Sequence, residues 1–204
     1  MITAELLMAY EKAELPDVSR KLGKEDLPQL VDWLESKHDA LRYHALLTLQ
    51  HRSEYSEDVY PFWDTFASKL KSGNSYQRSI GVMLLADNAK WDTENRFNDT
   101  IEPFLSILQD EKPITVRQCI QSLGRIIPYK KHLHDKIARG LMAMHISDYK
   151  QTMQKLILTD VLDALIQIRK YKATDEMEEY IAHALSGGVL DPKSAKHIQS
   201  LLSN

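Results

Sequence analysis

Cysteine is almost missing: among 204 residues there is one, Cys119. A single cysteine cannot close an intramolecular disulfide, and it cannot supply the thiolate set of a structural zinc site. It lies inside the apolar run ITVRQCIQSL, where it reads as a small buried hydrophobe. Glycine and proline are scarce as well, at seven each, while Leu, Ala, Lys, Glu, Gln and Ile dominate, a vocabulary of helices rather than strands. Nowhere do eighteen apolar residues run together, so no membrane span is expected. The N-terminal MITAELLMAYEKAEL mixes acids with a short apolar segment, so a secretory leader is not expected either, and a cytoplasmic location follows by default. A strong charge of one sign is also lacking: the formal net charge is -3, against the positive balance usual for a domain that lives on nucleic acid or anionic lipid.

What is present is 43% hydrophobic residues, ample for a core, spaced at helical intervals in segments that pair. DLPQLVDWLES, from Asp26, is joined to DALRYHALLTLQHR, from Asp39, through Lys37 and His38. VYPFWDTFASKLK, from Val59, leads through Ser72 and Gly73 to NSYQRSIGVMLLAD, where Gly73 stops one helix and Asn74 caps the next. TIEPFLSILQ, from Thr100, is followed by PITVRQCIQSLGRII, with Pro113 suited to a first helical turn. HLHDKIARGLMAMHI, from His132, precedes SDYKQTMQKLILTDVLDALIQI, for which Ser147 or Asp148 is the expected cap.

Each second helix carries an early basic residue: Arg42, Arg78, Arg117 and Lys150, spaced 36, 39 and 33 residues apart. Periods of about 33 to 47 residues are those of stacked helical-pair repeats, in which no hairpin buries its apolar face alone. The expectation is one all-α domain over 1–204, a short α-solenoid of four to five antiparallel hairpins. Residues 1–25 form an N-terminal cap with a helix over 2–13, residues 26–170 the repeats, and residues 171–204 a capping pair. In that last pair Gly187 and Gly188 stop one helix, and Asp191 with Pro192 starts the other.

A polar turn, an aliphatic, an Arg and then small or apolar residues at helical spacing resembles the second helix of a HEAT-type, armadillo-like repeat, over residues 26–170. The resemblance implies an Asp in the turn and an Arg a few residues later, whose contacts run along the ladder of repeats. Asp39 with Arg42 matches the pattern, Asn74 or Ser75 with Arg78 substitutes a neutral polar, Asp110 with Arg117 is loosely spaced, and Lys150 replaces Arg. For Arg78 the expectation is a guanidinium near an inter-repeat turn, within reach of carbonyls or an Asp.

Signatures of catalysis are sparse. No two of the eight histidines stand in an HExxH arrangement: His132 and His134 point to different sides of a helix, and His44 and His51 are about 10 Å apart in rise. No metal site and no cofactor is expected. GxSxG, SxxK and a Gly-rich phosphate loop are absent. Asp160 and Asp163, three apart on an apolar helix, read as a solvated face ahead of a general acid/base pair.

Trp33 and Trp63 fall at core spacing, whereas Trp91 lies in NAKWDTENRF beside Asp92, Asn95 and Arg96, either as an exposed aromatic in a groove or as a plug between repeats. That stretch, with VRQ at Arg117, is similar to HEAT-like alkylpurine DNA glycosylases. Asn95 stands where that family wants an acid, with Asp92 as a possible substitute. The resemblance implies a nucleic-acid-binding alternative using Trp91, Asp92, Arg117 and Arg78. Charge argues against it: residues 39–53, 74–88, 113–127 and 148–168 carry +1, 0, +2 and -1, a weak lining for many phosphates. The leading expectation is a non-enzymatic scaffold that binds another protein along the concave face of its second helices. The residues expected near that surface are Arg42, His44, His51, Arg78, Trp91, Arg117, Arg125, Lys150 and Lys155.

Overall fold

A computed structural model describes residues 1–203. Among the described residues there are twelve α-helices, joined by turns and short 3-10 segments, and no strand. The chain divides into two compact units, Met1–Thr100 and the part from Ile101 onward.

The first unit contains α1 (Ala4–Ala9), α2 (Leu15–Lys21), α3 (Leu27–Trp33), α4 (Asp39–Tyr55), α5 (Trp63–Lys69) and α6 (Ser75–Asp87). Helices α1, α2 and α3 all pack on α4, α5 packs on α6, and α4 meets α6 side by side. The single N-terminal helix expected over 2–13 is corrected: α1 stops at Ala9, where Tyr10 is extended, residues 12–14 form a 3-10 turn, and α2 occupies LPDVSRK, a segment too short for periodicity to reveal. Local sequence explains most boundaries: the Thr3 hydroxyl accepts from Leu6 N–H at the start of α1, and Asn74 caps α6 by accepting from Tyr76 N–H at 2.9 Å.

Buried polar groups sew this unit together. The Arg52 guanidinium pairs with Asp58 and donates to the carbonyls of Ser19, at 2.9 Å, and Leu22, at 3.1 Å. It thereby satisfies the C-terminal end of α2, and Lys24 adds a second cation to Asp58 at 2.6 Å. Lys69, only 5% exposed, pairs with Glu35 and with Gln77, whose own amide donates to Leu34 carbonyl at 2.7 Å. A buried ammonium needs such partners to offset its desolvation. Trp63 is in the core as expected, its indole N–H donating to Thr100 Oγ1 at 3.0 Å and its ring edge-on to Phe97. Trp33 is half-buried instead, at the C-terminal end of α3.

The second unit contains most of α7 (Phe97–Ser106), which begins before the boundary, then α8 (Pro113–Ile126), α9 (His134–Met142), α10 (Gln151–Arg169), α11 (Asp175–Ser186) and α12 (Pro192–Leu202). The 19-residue α10 is its hub, touching α8, α9, α11 and α12. Cys119 is fully buried, and burial pushes its thiol well above the ordinary range. The terminal pair follows its sequence signals: Asp191 Oδ1 accepts from Ser194 N–H at 2.8 Å, Pro192 sits in the first turn of α12, and Gly188 takes the left-handed conformation (φ 76°) after α11. The expected cap of α10 is corrected: Ser147 and Asp148 belong to a separate 3-10 turn, and Lys150 is the residue before the helix, with no side-chain cap bond. Tyr149 is extended and Lys150 is not helical, which moves the cap position two to three residues later.

Candidate binding surface

The early basic residues of α4 and α6 do the same structural job. Arg42, fourth in α4, donates to Ser36 carbonyl at 2.7 Å and to Asp39 at 2.6 Å. Arg78, fourth in α6, donates to Ser72 carbonyl at 2.8 Å. Each thus reaches a carbonyl six residues back, in the turn just before its own helix, and satisfies an oxygen of that turn. The carbonyl contact expected for Arg78 is present, but the turn lies within the hairpin.

Lys150 does not belong to this series, because it precedes α10. The fourth residue of α10 is Gln154, whose amide donates to the Ser147 and Tyr149 carbonyls at 3.4 and 2.9 Å. Arg42, Arg78, Arg117 and Gln154 are 36, 39 and 37 residues apart, a more even series than the basic residues alone suggest. A neutral amide does the same work as the guanidinium, and a search for charge misses it.

Arg117 departs from the series. Fifth in α8, it aims at α10 and clamps Asp160 through Nε at 2.6 Å and a terminal nitrogen at 3.2 Å, a two-pronged guanidinium–carboxylate pair. Gln121, one turn on, donates to the same carboxylate at 3.1 Å. Asp160 is therefore an organised ion-pair partner between helices, although its spacing from Asp163 alone suggested a solvated face.

Beside that clamp lies a crevice of about 170 Å³ between α8 and α10, walled by Gln121, Gly124, Asp160, Asp163 and Gln167. Its floor is the buried Ile120 and Ala164. Asp163 Oδ1 is 3.0 Å from His197 Nε2, which ties α12 to α10. Burial raises the Asp163 carboxyl above its ordinary value, and the hydrogen bond with His197 only partly offsets this. The Gln167 amide stands over Gly124, where an added Cβ would come within 3.2 Å of it.

The remaining expected surface residues are mostly engaged within the chain. His44 faces the Ala40 and Tyr10 carbonyls at 2.8 and 3.1 Å, and His51 pairs with Glu54 on its own helix. Lys155 binds Asp191 at 2.7 Å, and this bond, with those from Ser194, holds the Asp191 carboxyl well below the usual carboxylate range. Arg125 is exposed and donates to Ser122 Oγ at 2.9 Å. Lys150 lines a wider crevice of about 490 Å³ with Asp110, His145 and Tyr149, at the turns that precede α8 and α10.

Trp91 and Asp92 are structural. The half-buried Trp91 indole donates to Ser53 carbonyl at 2.8 Å, closing the C-terminal end of α4. Asp92 is 4% exposed and accepts from Arg96 N–H at 2.7 Å, Phe97 N–H at 3.1 Å and Tyr60 hydroxyl at 2.9 Å, fixing the entry to α7. Burial, then the bond to Asp92, pushes the Tyr60 phenol up to about 12. Neighbouring Asn95 takes a positive φ of 56°, tolerable for Asn in a tight loop. Among the described residues no three His, Cys, Asp or Glu side chains converge as a metal-binding group, and no helix is long and apolar enough to cross a membrane.

No protein-family model matches this chain, and no curated protein matches it either.

Proposed function

We propose that this chain is a non-enzymatic, HEAT-like scaffold that binds another protein through the faces of its second helices, α4 and α6 in the first unit and α8 and α10 in the second. The observation that carries the reading is the contrast along those helices. In α4, α6 and α10 the fourth side chain is tied back to its own turn, whereas α8 and α10 are clamped together by Arg117 and Asp160 and leave a polar, acceptor-walled crevice beside the clamp. Helical-pair repeats offer such rows of second helices for binding. A cytoplasmic location belongs to the same reading, supported by a single buried thiol in place of disulfides.

Nucleic acid is the less favoured partner because Arg42, Arg117 and Lys155 already meet carboxylates of the chain. Asp92, the acid a base-excision role would need, has both oxygens occupied by the loop it holds.

Affinity capture from the source cell tests the scaffold reading. A partner retained by the wild-type chain and by Arg139→Glu, an exposed change on α9, but lost from Gln121→Arg/Gln167→Arg on the α8 and α10 face is the expected result. A partner indifferent to the face variant overturns it, as does tight duplex-DNA binding that weakens steeply with salt.

A further inference from the structure

The crevice between α8 and α10 has a composition that selects one kind of side chain. Its walls carry the Asp160 and Asp163 carboxyl groups and the side-chain amides of Gln121 and Gln167, whose oxygens can accept hydrogen bonds. Among the described residues, one Asp163 oxygen faces His197 while the other has no hydrogen-bond partner, and the Gln167 amide has none. The floor, Ile120 and Ala164, is apolar and almost fully buried, at 0% and 3% exposure. An apolar floor beneath acceptor walls suits a flat, weakly hydrated cation whose faces tolerate hydrocarbon and whose edges donate in a plane. An ammonium, compact and strongly hydrated, loses more on such a floor. At about 170 Å³ the space is that of a side-chain head group rather than a metabolite.

The protein already displays this chemistry one step away, where the Arg117 guanidinium is clamped by Asp160 from outside the crevice. Asp163 stands three residues further along the same helix, on the same side, and presents its carboxylate to the empty space. Gly124 keeps the space open, since any larger side chain there presses on the Gln167 amide.

We infer that this crevice binds an arginine side chain presented by a protein partner, with Asp163 as its charge partner, the amide oxygens of Gln121 and Gln167 as further acceptors, and Ile120 and Ala164 beneath its plane. The inference rests on the reading of the α8 and α10 face as a protein-binding surface and gives that surface its partner chemistry. It also accounts for Asp163: a half-buried carboxylate whose burial disfavours its charge gains most from a cation delivered to it.

The test is a titration of the full chain, followed by amide chemical shifts, with N-acetyl-arginine methylamide, its lysine counterpart and the neutral, isosteric citrulline counterpart. Saturable shifts at Gln121, Gly124 and Gln167 with a dissociation constant of about a millimolar are expected for the arginine compound, and binding at least about tenfold weaker for the other two. Asp163→Asn and Gly124→Leu, each confirmed folded by its helical circular dichroism, are expected to weaken arginine binding by about tenfold or more. No saturation, citrulline binding as tight as arginine, or arginine binding unchanged in both variants overturns the inference. The two readings fail separately: a face-dependent partner without arginine binding removes only the crevice assignment, and arginine binding without a face-dependent partner removes only the scaffold.

Discussion

Arg117 and Asp160, 43 residues apart, form a two-pronged ion pair between α8 and α10, and Arg117 thereby leaves the turn that Arg42 and Arg78 close in their own hairpins. Asp160 is 10% exposed and Arg117 28%, so the pair is shielded enough to matter for stability. Asp160→Ala is expected to cost about 1 to 3 kcal/mol by leaving a partly buried guanidinium uncompensated. A double-mutant cycle with Arg117→Met, followed by urea denaturation, should return a coupling of at least about 0.5 kcal/mol. Additive single effects would show that the two side chains act independently.

Gly81 packs α6 directly on α5. A Cβ there would lie 2.8 Å from Phe66 carbonyl oxygen, an atom of the helix backbone that cannot swing aside. Gly81→Ala gains up to about 1 kcal/mol of helix propensity, yet overpacking costs of about 1 to 3 kcal/mol should dominate. The expected outcome is a lower thermal midpoint. An unchanged or raised one would mean that the two helices separate at little cost.

Acid should find Asp58. Burial alone would raise this carboxyl, but hydrogen bonds from Lys24, Ser56 and Arg52 win and hold it at about 2, against an ordinary 3.8. A depressed folded-state value means that the stabilisation is complete above about pH 4 and is lost as pH falls through about 2. It is worth about 2 kcal/mol, since the carboxylate is 4% exposed. Asp58→Asn should lower stability at neutral pH and flatten its decline between about pH 4 and 2, read from denaturation midpoints across that window.

Cys119 reports on the intact second unit. Its thiol is fully buried, donates to Phe104 carbonyl at 3.5 Å, and is pushed up by burial. A thiol reagent at pH 8 is expected to leave the native chain unmodified and to label one thiol per chain in denaturant. Rapid labelling of the native chain would place Cys119 outside the core.

The residues themselves dictated helices, because a chain with seven glycines, seven prolines and apolar side chains at helical spacing has few other ways to satisfy its backbone. Asn74 and Asp191 announce their caps because a capping bond is made within three residues of chain. The carbonyl contact of Arg78, matched by Arg42, was legible for the same reason: a guanidinium reaching six residues back stays within one turn's neighbourhood. Gln154 escaped that reading because hydrogen bonding to a carbonyl requires a donor and not a charge.

The candidate site was decided by tertiary structure. Asp160 looked like a solvated acid until α8 brought Arg117 and Gln121 to it, and Asp163 until α12 delivered His197. In sequence Trp91 reads either as a groove aromatic or as a structural plug, and Asp92 as a substitute acid; Ser53, Tyr60 and the start of α7 consume their polar groups. Spacing along a chain fixes which side chains share a helix face. Whether such a face meets water, an opposite charge or a crevice depends on which distant helix is packed against it, a choice that α8 and α10 make through contacts about 40 residues apart in sequence.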